Sequence, residues 1–152
     1  MLKFREIGTY KNAVNIGYTT CAAELHNGMV VTVDKAAKTC ALPTVDTAKA
    51  AGLAIVMNTI DKPEIHEPNE FKIEIGENPR LFVLESLKGR IIDMDMDQIA
   101  TAIGSINKGD VLVANTDGKL EVADDTTDYA EHFVVVEKTA FGGAGVAVEV
   151  IA

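Results

Sequence analysis

The sequence predicts a mainly β fold, a small β-barrel or sandwich with helix limited to a few turns. Three observations carry this. Short apolar runs recur with strand period, Gly and Pro turns separate them at even spacing, and one β unit occurs twice. No long amphipathic helical period can be drawn anywhere in the 152 residues.

The repeat is the organising feature. Residues 108–120, KGDVLVANTDGKL, read as a hairpin, with Val111 and Val113 in the first strand and Gly118 in the turn. Residues 27–42, NGMVVTVDKAAKTCAL, have the same outline. Gly28 matches Gly109; Val30, Val31 and Val33 match Val111, Leu112 and Ala114; Lys38 matches Lys119. Residues 50–59, AAGLAIVMNT, then align with residues 130–139, AEHFVVVEKT, pairing Leu53 with Phe133, Val56 with Val136 and Thr59 with Thr139. Two pseudo-repeat units, about 27–59 and 108–139, therefore lie within one β-rich domain of residues 21–152.

Taken in order, residues 1–20 show no clean period and are expected to be either an N-terminal arm or the first strand. A strand from Met29 to Val33, a turn through Lys38 and a return strand to Leu42 follow, and Pro43 ends them. Asp46 is placed to cap a single helical turn. The run from Gly52 to Asn58 is apolar throughout, as in a strand buried on both faces. Residues 60–69 carry Pro63 and Pro68 and predict a loop. Phe71, Ile73 and Ile75 alternate with Lys72 and Glu74, which predicts a half-buried strand. Residues 80–85 and 90–97 predict two more strands, and residues 98–106 a short helix or irregular crossing. After the second repeat unit, a glycine loop at residues 142–145 leads into a closing strand from Val146 to Ile151.

Composition narrows the function. The chain is 47% hydrophobic and 24% charged, as in a globular protein with a sizeable core. Trp is absent and aromatics make up only 5%, so stacking platforms for bases are not expected. The formal charge of −9 repels phosphate, which argues against nucleic acid as a partner. The charge is uneven, because Lys3, Arg5 and Lys11 make the start basic. No run approaches the length of a membrane span, and no secretory h-region opens the chain. Cys21 and Cys40 form no CxxC motif and are expected to be unbridged, buried thiols.

Candidate sites are weak. Asp93, Asp95 and Asp97 resemble half of a calcium loop, but Gln98 stands directly after them, where no turn glycine is available. Strand alternation predicts these carboxylates on a solvent face. The glycine loop lacks the Lys-Ser/Thr of a phosphate cradle. His26, His66 and His132 share no ligand spacing, and Cys21 with His26 lacks a third residue to orient the imidazole. No catalytic residue, metal site or cofactor is expected.

The order of the motifs resembles the decoration (head-stabilising, or cement) proteins of tailed bacteriophage capsids. The resemblance lies in ELHNGMVV at 24–31, AGLAIV at 51–56 and FKIEIG at 71–76, then KGDVL at 108–112 and GVAVEV at 145–150. It implies a non-enzymatic structural protein on the capsid exterior of a virion, made in the host cytoplasm and bound to the major capsid protein. It also implies a homo-oligomer, with a trimer among the possibilities. In such proteins an N-terminal arm often contacts the shell, and here Lys3, Phe4, Arg5, Ile7, Tyr10 and Lys11 would be its contact residues. The other class open to the sequence is a small β-barrel adaptor, fibre-base or ligand-binding module without catalytic activity.

Overall fold

The computed structural model describes residues 1–6, 8–60 and 70–152. Among the described residues strand accounts for 36% and helix, 3-10 turns included, for 14%, which makes the fold mainly β. The strands of the described residues form two six-stranded sheets arranged like a sandwich, not closed into a barrel. In chain order they are β1 (Leu2–Phe4), β2 (Asn15–Ile16), β3 (Thr20–Cys21), β4 (Val30–Asp34), β5 (Thr39–Ala41), β6 (Ala54–Val56), β7 (Leu81–Val83), β8 (Ile91–Asp95), β9 (Val111–Ala114), β10 (Leu120–Val122), β11 (His132–Thr139) and β12 (Gly145–Ile151). One sheet runs β1-β8-β12-β11-β9-β10 and the other β2-β7-β6-β4-β5-β3.

The two sheets are copies of one ladder. β4 and β5 form a hairpin, and β6 pairs with β4. β9 and β10 form the second hairpin, and β11 pairs with β9. Each hairpin turns on an Asx motif. Asp34 Oδ1 accepts the Ala36 and Ala37 N–H groups at 2.9 and 2.8 Å. Asn115 Oδ1 accepts those of Asp117 and Lys119, both at 3.0 Å. The copies extend beyond the hairpins. β3 runs parallel to β5 through Cys21 and Cys40, and Ile99 bridges in parallel to Leu120. β7 lies on β6 with β2 beyond it, and β12 lies on β11 with β8 beyond it.

Hydrogen-bond register corrects part of the alignment. Val30 pairs with Ile55 as Val111 pairs with Val134, and Val31 pairs with Ala54 as Leu112 pairs with Phe133. Phe133 is therefore the counterpart of Ala54, not Leu53, and Val135 is that of Val56. The slip begins in the turn. Lys38 (φ +56°) matches Gly118 (φ +73°) in backbone shape, so Lys119 corresponds to Thr39.

The sheets stack with the same face forward. Ile92, Leu112, Phe133, Val135 and Val148 of one sheet pack on Val30, Ile55 and Phe82 of the other, forming the larger core. The counterpart face of the second sheet, with Ile16, Val31, Ala54, Val56 and Leu81, is covered by Leu25, Phe71 and Ile73. That sheet is consequently buried on both sides, and Ala54, Ile55 and Val56 have no exposed surface.

Several local expectations change. Phe71 and Ile73 are buried, but only Ile73 makes a bridge, to Leu25, and Ile75 is 69% exposed. The predicted strand at 80–85 ends at Val83 and continues as a 3-10 turn, Leu84–Leu87. Helix α1 is Thr9–Asn12 and α2 is Val45–Lys49. Thr44, not Asp46, caps α2 in a reciprocal box with Thr47, because the cap must stand one residue before the helix. Residues 98–106 hold the end of one 3-10 turn, Met96–Gln98, and all of another, Ile103–Ser105. Of the loop predicted at residues 60–69, residues 61–69 lie outside the described residues.

Candidate interaction surface

The amino-terminal segment is part of the sheet. Leu2, Lys3 and Phe4 pair antiparallel with Met94, Asp93 and Ile92. The Asp95 N–H donates to Met1 O and the Arg5 N–H to Ile91 O, both at 3.0 Å. Leu2 and Phe4 enter the larger core. The Phe4 ring lies 5.0 Å from Phe82, edge to face, and 4.7 Å from Tyr10. An expected contact residue of an arm is thus spent on internal packing, since the 92/94 face of β8 leaves apolar surface that β1 covers.

Arg5 is committed as well. Its Nη2 donates to Asp93 Oδ1 at 2.6 Å and its Nη1 to Glu137 Oε1 at 2.7 Å. Asp93, the larger influence, and Glu137 hold the guanidinium proton more tightly than usual. Lys3 stays exposed, with its ammonium 5.0 Å from the Phe141 ring centre. Tyr10 and Lys11 are exposed on α1. Ile7 lies outside the described residues.

Of the three aspartates expected on a solvent face, Asp97 is exposed, while Asp93 and Asp95 correct the expectation. Asp93 and Asp95 are 5% and 6% exposed. Arg5 and the amino terminus lie over them as ion pairs, and Asp95 Oδ1 also accepts the Asp97 N–H. A Cβ at Gly142 would stand 2.6 Å from Asp95 Cβ, and one at Gly145 would stand 2.4 Å from Met94 O. The glycine loop is therefore a close-packing device over β8. Among the described residues, no group of three or more His, Cys, Asp or Glu side chains is placed to hold a metal ion.

Cys21 and Cys40 are opposite each other across β3 and β5, both buried and both free. Burial pushes the Cys40 thiol up to about 11. The Cys21 thiol donates to Glu74 O at 2.9 Å. His132 begins β11, and His26 Nδ1 is 3.1 Å from Phe71 O. Glu131 is buried, and its Oε2 accepts the Leu53 N–H at 2.7 Å. A surface pocket of about 350 Å³ is lined by Val45, Ala48, Ala114, Asn115, Glu121 and Tyr129, among others.

One feature the sequence did not single out is the edge at β2. β2 ends its sheet, and among the described residues no strand lies on its outer side. Val14 and Tyr18 flank it at 56% and 51% exposure, with Tyr10 nearby in the chain at 38%. In the sequence these residues look like scattered apolar positions. The signal that marks them is the stretch GTYKNAVNIGYTT at 8–20, which holds no acid in a chain of charge −9.

No helix among the described residues is long and apolar enough to cross a membrane. No protein-family model and no curated protein matches the sequence.

Proposed function

We propose that this chain is a capsid decoration protein: a structural protein that binds the outside of a phage shell, through the major capsid protein, and stabilises it. The observation that carries the reading is the ordered set of motifs that resembles this family. Four of them fall on the framework of the fold. ELHNGMVV enters β4 through the positive-φ Gly28, AGLAIV ends in β6, KGDVL enters β9 through Gly109, and GVAVEV is β12. A small acidic sandwich whose amino terminus is ion-paired into the sheet is a body suited to rigid display on a surface.

Of the amino-terminal contact set, Lys3, Tyr10 and Lys11 are on the surface and are the residues proposed to meet the shell. The second reading, a ligand-binding adaptor without catalytic activity, rests on the pocket between α2 and the β9–β10 hairpin. The test is co-sedimentation of the purified full chain with intact expanded capsids, alongside the capsids' resistance to heat. Saturable binding that raises resistance supports the decoration reading. A chain that never sediments with shells, yet binds a small molecule lost on Tyr129→Ala, replaces it with the adaptor.

A further inference from the structure

We propose that the outer edge of β2 is a two-fold interface through which a second copy of this chain extends the sheet. The internal repeat marks this edge independently of the capsid reading. In one sheet, Asn15 pairs with Phe82 and Ile16 with Leu81. In the other, Ile91 pairs with Glu149 and Ile92 with Val148. The flanking bonds agree: Val83 N–H donates to Val14 O, and Val150 N–H donates to Arg90 O, both at 3.0 Å. Residue by residue, Val14, Asn15 and Ile16 are the counterparts of Arg90, Ile91 and Ile92.

This equivalence shows what the edge is built to hold. The Ile91 carbonyl faces away from β12 and accepts the N–H of Arg5, the residue after β1. By the alternation of an antiparallel strand, Asn15 likewise directs its N–H and C=O away from β7, because Val14 turns toward it. The edge of β8 has an antiparallel strand on it, while the same edge of β2, among the described residues, has none.

The side chains select the occupant. β1 brings Lys3 and Arg5 to Asp93. The position that corresponds to Asp93 is Gly17, just past β2, so a basic strand gains no ion pair there. A second β2 fits instead. With Asn15 opposite Asn15 of the second copy across a two-fold axis, the two exchange both backbone hydrogen bonds. Val14 then faces Ile16 of the second copy on one side of the sheet, and Tyr18 lies diagonal to Val14 of the second copy. The large exposed apolar groups at this edge are covered by its own sequence. Residues 13–19 carry no charge, so the strand itself brings no carboxylate to a seam between two bodies of charge −9. The edge carries neither an inward charge nor a Pro, and its shortness, two residues, limits the seam to the Asn15 pair and the residues flanking it.

The test is sedimentation velocity of the full chain over a range of concentrations, with hydrogen exchange read at the Asn15 amide. The expected result is a reversible monomer–dimer equilibrium, tightened by salt as the net charge is screened, with Asn15 protected only in the dimer. Val14→Lys should weaken the dimer by at least about a hundredfold. It enters the two-fold interface twice, at roughly tenfold each. Its far-UV spectrum should stay unchanged because Val14 is exposed. Asn15→Pro, which removes the outward donor and also fixes φ at residue 15, should act in the same direction while keeping the far-UV spectrum of the wild type. A monomer at every concentration, a trimer, or a dimer untouched by Val14→Lys overturns the proposal. So does a monomeric protein whose Val14→Lys variant loses capsid binding, which would assign the edge to the shell.

Discussion

Gly28 and Gly109 hold the same place in two copies of one ladder. The Gly28 N–H donates to Val56 O at 2.9 Å and the Gly109 N–H to Val135 O at 2.8 Å, with φ of +100° and +91°. The return bonds also match: Val56 N–H donates to Met29 O and Val135 N–H to Asp110 O. The repeat is thus one of backbone hydrogen bonding, kept where side chains have diverged.

Their substitutions should differ. Each Ala variant forces a side chain into positive φ, at about 1–2 kcal/mol. A Cβ on Gly109 meets nothing within 4 Å, whereas one on Gly28 meets Gln98 Cγ at 3.1 Å. Urea denaturation should rank Gly28→Ala as the more damaging, and equal midpoints would contradict this contact.

Truncation of residues 2–20 should abolish folding rather than free a folded body from its arm. The deletion removes β1 and β2 and part of β3, and with them Leu2, Phe4 and Ile16 from the two cores. A truncated protein with the native near-UV spectrum and a cooperative melt would return the segment to the status of an arm.

Arg5→Ala should destabilise by about 1–3 kcal/mol, below the range for a fully buried pair because Arg5 is partly exposed. It leaves Asp93 nearly buried with only Lys3 at 4.0 Å. Arg5→Ala with Asp93→Asn should recover part of the loss, since the uncompensated charge is gone. Simple additivity of the two in denaturant melts would rule out that coupling.

Burial raises the Glu131 carboxyl pKa from its ordinary value of 4.5, while the Leu53 and Gly52 N–H groups pull it back in part. A carboxyl held higher in the folded than in the unfolded state contributes most below the unfolded value. That contribution is lost as pH rises through the folded one. Glu131→Gln keeps an acceptor for the Leu53 N–H and should flatten this fall in stability above pH 4.5. Glu131→Ala leaves a buried donor unpaired and should cost about 1–3 kcal/mol at all pH. Parallel pH–stability curves for wild type and Glu131→Gln would exclude the carboxyl as their source.

Cys40 and Cys21 should resist alkylation at neutral pH in the folded protein, Cys40 because its thiolate forms only near 11 and both because they are buried. Both should label without reductant once unfolded. Prompt labelling of Cys40 in native protein, or failure of either thiol after unfolding, would contradict this.

The sequence by itself determined the features written in local chemistry. Valine-rich alternation, the Asx turns at Asp34 and Asn115, and the glycines at 28 and 109 give two hairpins wherever they are placed. They also give a fold that is mainly β. The tertiary structure alone decided which faces those strands bury. Alternation put Asp93 and Asp95 on a face that reads as solvent, yet Arg5 and Met1, 88 and 94 residues away in the chain, lie over it. Phe4 had no period to mark it, and its burial depends on Phe82 in the other sheet. The choice of β8, not β2, as the edge that β1 covers is also tertiary. Both edges offer the same backbone groups, and only the side chains brought alongside from distant segments distinguish them.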